Sequence, residues 1–206
     1  MSQKRTFNLI WFIGVLLIVS GVETIHAESD IYKESIYQLG ILKPRDSTST
    51  LKVGDKAPEF SIPSIGGLKV SLSTYLEKKN VVISFIPAAW TPVCSLQWPE
   101  YNKSKAIFDK NDATLLGISV DNTPTLSSWA KNMCEADESI WFTVLSDFYP
   151  HGWVAKKYGV LRSDGLSERA LFVIDKKGVI RYIDIHDINE KPPISELEKA
   201  LEGLTN

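Results

Sequence analysis

With 206 residues, 23 basic against 25 acidic side chains and 44% hydrophobic residues, the chain has room for one ordinary globular domain and a short extra segment. A net charge of −2 favours no nucleic-acid partner. The two cysteines, Cys94 and Cys134, and the histidines His26, His151 and His186 lack metal-ligand spacing, so neither a zinc site nor a cofactor is expected.

Met1 to Ala27 carries Lys4 and Arg5, an apolar run from Phe7 to Val22, and Ile25-His26-Ala27 ahead of Glu28-Ser29-Asp30. This is the layout of a cleaved signal peptide over residues 1–27, which predicts a periplasmic or otherwise exported protein. An uncleaved N-terminal membrane anchor is the alternative, because the run is close to the minimum spanning length. In an oxidising compartment, an even cysteine count invites pairing. Residues 28–50 read as an N-terminal extension, with a short helix over Ile31 to Leu39 and a polar linker from Pro44 to Thr50. The domain proper is expected over residues 51–206.

Phe60 to Leu72 predicts a hairpin turning at Gly66-Gly67, and Ser73 to Lys78 a short helix. Val81 to Ile86 is β-branched and aromatic except for Ser84, the pattern of a strand buried on both faces. Thr91-Pro92 then reads as an N-cap followed by proline at the first helical position, which puts Cys94 in the first turn. Unpaired N–H groups and the helix dipole would stabilise a sulfur anion there, and a thiolate is a nucleophile. The bland alternative is an inert buried thiol.

Pro99 should kink this helix. Ala113 to Val120 reads as a second buried strand, and Asp121-Asn122-Thr123-Pro124 as the start of a helix carrying Trp129, Met133 and Cys134. A short strand over Phe142 to Leu145, a helix from Gly152 to Tyr158 and a hairpin of Ala170–Ile174 with Val179–Ile185 follow. His151 is a turn residue. An amphipathic helix over Ile194 to Leu204 ends the chain. Alternating strands and helices ending in a hairpin predict an α/β, thioredoxin-like fold with a mixed central sheet flanked by helices.

Pro87, Thr91 and Cys94 fit P-x-x-x-T-x-x-C, and Arg169 to Gly178 is similar to R-x-x-F-V-I-D-x-x-G; both segments resemble the peroxiredoxins of the alkyl hydroperoxide reductase/thiol-specific antioxidant family. Val53-Gly54-Asp55-Lys56-Ala57-Pro58-Glu59-Phe60 resembles the opening of that fold. The resemblance implies a thiol-dependent peroxidase in which Cys94 attacks hydrogen peroxide or an organic hydroperoxide and becomes a sulfenic acid. It gives Arg169 the role of holding the thiolate and a peroxide oxygen, Thr91 that of a hydrogen bond to sulfur or peroxide, and Pro87 that of shielding the thiolate. A solvated arginine at a strand start is the alternative for Arg169. Gln97 is either an exposed helix polar or a match to a family Glu/Gln position, and Trp90 either core or entrance.

Trp129 through Cys134 to Leu145-Ser146-Asp147-Phe148 resembles the atypical two-cysteine thiol peroxidase branch, which implies that Cys134 resolves the sulfenic acid as an intramolecular disulfide. A buried structural thiol is the alternative. The implied partners are a peroxide and a thioredoxin-like reductant, and family members are commonly homodimers. An exported thiol-disulfide oxidoreductase would need C-x-x-C, where Thr91 stands in place of the first cysteine. A redox-inactive binding protein of the same fold, such as a metallochaperone, would need C-x-x-x-C and a histidine.

Overall fold

In a computed structural model of the chain, residues 40–134 and 139–204 are described. The signal-peptide reading and the helix expected over Ile31 to Leu39 lie outside them. Among the described residues, no helix is long and apolar enough to cross a membrane.

The elements follow the expected order. A small antiparallel hairpin of β1 (Ser61–Pro63) and β2 (Lys69–Ser71) comes first. The central sheet contains β3 (Asn80–Phe85), β4 (Ala113–Ser119), β5 (Thr143–Ser146), β6 (Arg169–Ile174) and β7 (Ile180–His186), in the order β5-β4-β3-β6-β7. β3, β4 and β5 run parallel, while β6 is antiparallel to β3 and β7 to β6. The helices are α1 (Cys94–Lys103), α2 (Lys105–Lys110), α3 (Thr123–Met133), α4 (Trp153–Lys157) and α5 (Ile194–Glu202). This is the mixed, helix-flanked sheet that the strand and helix pattern predicts.

Strand alternation divides the core between two faces. Val81, Ile83 and Phe85 of β3 join Leu116, Ile118, Phe172 and Ile174 beneath Val154, Ala155 and Tyr158. Val82 joins Leu115, Leu171 and Val173 beneath Trp98, Leu126, Trp129, Leu197 and Leu201 of α1, α3 and α5. Ser84, the polar interruption in β3, lies between these side chains and accepts a hydrogen bond from the indole N–H of Trp98 at 3.2 Å. Gly117, paired with Ser84 in the sheet, is where Trp98 lands, and a Cβ at Gly117 would come within 2.6 Å of Trp98 Cζ2. A bare glycine thus lets α1 lie flat on the sheet, which seats the first turn of α1 at the end of β3.

Local chemistry departs from expectation at a few places. The helix predicted over Ser73 to Lys78 is a 3₁₀ turn over Leu72–Thr74, because Glu77 takes a left-handed conformation (φ 65°) and turns its N–H to the Lys176 carbonyl at 2.7 Å. α1 runs through Pro99 to Lys103. Asn122, as expected of an N-terminal Asn-Thr-Pro, caps α3 by accepting the Thr125 N–H at 2.9 Å. Cys134 follows the last residue of α3 with extended backbone, so it lies just beyond the helix rather than on it. His151 bonds the Gly165 carbonyl through its ring at 2.7 Å, a turn-holding contact.

The stretch read as a polar linker is stitched to the domain. Glu168, wholly buried, accepts the N–H groups of Asp46 and Ser47 at 2.6 and 2.7 Å. Arg162 donates to Glu168 at 2.8 Å and to the Lys43 carbonyl at 3.1 Å. Composition alone reads Pro44 to Thr50 as loose; its backbone N–H groups find a buried carboxylate that lies more than a hundred positions away.

Candidate active site

The loop between β3 and α1 sets the site. Pro87 ends the strand, and Asp121, at the end of neighbouring β4, accepts the Ala89 N–H at 2.7 Å and the Ser119 hydroxyl at 2.6 Å. The loop then passes through Trp90 in a left-handed conformation (φ 61°), a costly one for a bulky side chain and one that a functional loop often stores. Trp90 is half-buried against the α1–α3 side of the core.

Thr91 corrects the capping expectation. Its carbonyl accepts the Ser95 N–H at 2.9 Å, which opens the helical bonding pattern, but its hydroxyl donates to the Ala88 carbonyl at 2.9 Å and caps nothing. The hydroxyl oxygen keeps lone pairs that can still accept. Cys94 is the first residue of α1 and has no exposed surface.

Arg169, the first residue of β6, comes to Cys94 across 75 positions of sequence. Both terminal guanidinium nitrogens stand 3.6 Å from the Cys94 sulfur. Arg169 is 2% exposed, far from the solvated arginine of the alternative reading. Its orientation is set by the Ile188 carbonyl, which accepts from Nε at 3.2 Å and Nη2 at 3.0 Å, and by Gln97 Oε1, which accepts from Nη1 at 2.6 Å. The guanidinium thus has neutral oxygen acceptors on one side and the Cys94 sulfur on the other.

Gln97 is therefore no exposed helix polar: it is fully buried, and its amide N–H donates to the Tyr101 hydroxyl at 3.0 Å. Burial pushes the Tyr101 phenol well above its usual range, so it stays neutral. Asp121 and the Ile188 carbonyl were not legible as site groups. Asp121 follows a buried strand end, a usable signal, whereas Ile188 acts through its backbone and leaves no side-chain trace.

A cleft of about 380 Å³ adjoins this cluster, lined by Pro87, Thr91, Pro92, Val93 and Arg169 on one side and by Leu42, Ile188 and Asn189 on another. Pro87, Thr91, Cys94 and Arg169 are thus brought together. Cys134 is not. Its sulfur accepts from the Asn102 side chain at 3.8 Å, and Asn102 is 102 − 94 = 8 residues along α1 from Cys94. At the helical rise, that is about 12 Å, and a disulfide needs sulfurs about 2 Å apart.

A thioredoxin-like sheet presenting a helix-start cysteine beneath a buried arginine defines a thiol-chemistry protein. Residues 53–183 match the AhpC/TSA family, and the chain belongs to it; it is a peroxiredoxin. It is 34% identical over 156 residues to alkyl hydroperoxide reductase E of Mycobacterium tuberculosis, covering 75% of this chain and 99% of that protein. The reduced 2-Cys peroxiredoxin of Plasmodium vivax superposes with a TM-score of 0.69 at 26% identity, over 75% of this chain and 82% of that one. A yeast mitochondrial 1-Cys peroxiredoxin gives 0.69 at 27% identity, over 76% and 77% of the two chains.

Proposed function

We propose that Cys94 is the peroxidatic nucleophile of this thiol-dependent peroxidase. The observation that carries the assignment is the Cys94 sulfur held 3.6 Å from both terminal nitrogens of buried Arg169. The thiolate attacks one peroxide oxygen in line; an S–O bond forms as the O–O bond breaks. Sulfur is oxidised to the sulfenic acid, the peroxide is reduced, and the departing oxygen takes a proton from solvent to leave as water or alcohol. Arg169 stabilises the charge that grows on that oxygen. Thr91 offers its free lone pairs to the peroxide hydrogen, and Pro87 keeps water from the sulfur.

Cys134 is the candidate resolving cysteine. Its thiolate attacks the Cys94 sulfenic sulfur, the S–O bond breaks and the departing hydroxide takes a proton from solvent to leave as water, and the resulting disulfide passes to a dithiol of thioredoxin type by exchange. The separation along α1 means that the first turns of this helix must unwind for the two sulfurs to meet. Pro99 favours such unwinding, because the helix lacks one backbone hydrogen bond there. Export as a cleaved precursor is supported by Lys4, Arg5, the apolar run and Ala27, and a homodimer by family habit.

The mature protein, given dithiothreitol and hydrogen peroxide, should consume peroxide in proportion to thiol oxidised. No consumption would sink the peroxidase assignment. Stoichiometric peroxide should then yield a Cys94–Cys134 crosslinked peptide by mass spectrometry, and Cys134→Ser should leave a trappable sulfenic acid. If turnover with dithiothreitol continues while Cys134 stays a thiol, the protein resolves without it, and the thiol peroxidase likeness around α3 does not extend to this step.

A further inference from the structure

Residues that precede the expected domain boundary form part of the cleft beside Cys94. Gly40, Ile41 and Leu42 line it together with Pro87, Thr91, Arg169 and Asn189. The strap is fastened at two adjacent residues, Asn189 and Ile188, the second of which also holds Arg169. Asn189 clasps Leu42 from both sides, accepting its N–H at 2.9 Å and donating to its carbonyl at 2.9 Å. The Ile188 N–H donates to the Pro44 carbonyl at 3.1 Å, while the Ile188 carbonyl accepts from Arg169. Asp187 steadies the clasp by accepting from the Asn189 backbone and side-chain amides at 2.9 and 2.8 Å. The same two hydrogen bonds hold the Asp187 carboxyl below its ordinary range. On the other side of the strap, Glu168, the residue next to Arg169, grips Asp46 and Ser47.

The cleft is larger than the attacking chemistry requires. A water's share of liquid volume is about 30 Å³, so two peroxide oxygens fill a small part of the 380 Å³ available. Much of the remaining lining is carbon: Ile41, Leu42, Pro92, Val93 and Ile188. Ile41 is 95% exposed, an apolar side chain held in water at the cleft by a hydrogen-bonded backbone. Such a side chain gains when an apolar ligand covers it.

Resting on the peroxidase reading above, we infer that Ile41 and Leu42 of this strap are specificity-determining residues, a wall that binds the carbon tail of an organic hydroperoxide whose oxygens sit at Arg169. Asn189 is a positioning residue that holds the wall in place. The strap gives nothing to hydrogen peroxide, which has no tail.

The test is the second-order rate of Cys94 oxidation, followed by tryptophan fluorescence on the full chain, with hydrogen peroxide and with cumene hydroperoxide. The ratio of cumene to hydrogen peroxide rates should fall about tenfold in Ile41→Ser, the scale at which a few apolar contacts discriminate. Leu68→Ser, at an exposed position on the β1–β2 hairpin, should leave the ratio in place. Asn189→Ala should lower it similarly, and adding Ile41→Ser to Asn189→Ala should bring no further loss, since both act on one wall. A merely structural Asn189 would move both rates alike and leave the ratio where it was. A ratio that stays constant in Ile41→Ser, or that rises because the strap obstructs bulky peroxides, overturns the inference while the peroxidase assignment stands. If neither peroxide oxidises Cys94 in the parent protein, both fall.

Discussion

Cys94→Ser should consume no peroxide above the uncatalysed background and should still fold. Serine is nearly isosteric with cysteine, so the packing of the first turn of α1 into the core survives. Its hydroxyl does not ionise beneath Arg169 in the range where a thiol does, and an alcohol is a poor nucleophile toward a peroxide oxygen. Putting a hydroxyl at a wholly buried position costs about 1–2 kcal/mol, offset where it finds an acceptor, which corresponds to a melting temperature lower by roughly 2–8 °C. Circular dichroism and thermal melting report the fold, and a peroxide-consumption assay the chemistry. Turnover retained in the folded variant would remove Cys94 from the reaction and return the first turn of α1 to a purely structural role.

Arg169→Ala should slow Cys94 oxidation by about 10²–10³-fold, the range found when one preorganised donor to a developing oxyanion is removed. The guanidinium faces the sulfur, and in the proposed mechanism it would also meet the charge that leaves on oxygen. The variant also strands Gln97 Oε1 and the Ile188 carbonyl without their donor, so stability should fall by about 2–4 kcal/mol. Arg169→Lys separates the two effects. It keeps a positive charge but lacks the fork that reaches sulfur, Gln97 and Ile188 at once, so it should recover stability more than rate. Stopped-flow oxidation alongside urea unfolding reads both quantities. An Arg169→Ala rate within a factor of two of the parent would show that the arginine holds the loop together and takes no part in the reaction.

Gln97 belongs to the same account. By accepting from Arg169 it ties the first turn of α1 to the start of β6, while its bond to Tyr101 stays within the helix. Unwinding α1 to carry Cys94 toward Cys134 would break that tie, along with the Cys94–Arg169 contact. On the resolving role proposed for Cys134, the bonds that hold Arg169 to Gln97 and to the Cys94 sulfur would therefore oppose the unwinding that brings the two cysteines together.

The sequence by itself determined the local features. Val81 to Ile86 is a strand because its side chains suit a surface buried on both sides. Cys94 opens a helix because Pro87 ends that strand and Thr91-Pro92 turns the chain into α1. Asn122-Thr123-Pro124 starts another helix because its side-chain oxygen caps the backbone. The hairpins turn where glycine permits. Each of these depends on residues within a few positions of one another, and the family motifs around Cys94 and Arg169 carried the chemistry along with them. What the tertiary structure alone decided is whatever depends on partners distant in sequence. The burial of Gln97 and the hold of the Ile188 carbonyl on Arg169 come from the packing of α1 against β6 and the segment after β7. The placing of Cys134 at the far end of α1, and the docking of residues 40–50 on Glu168 and Asn189, have the same kind of origin. Their physical cause is pairing: a buried donor or acceptor must find its partner, and local sequence does not say which segment the fold will bring to it.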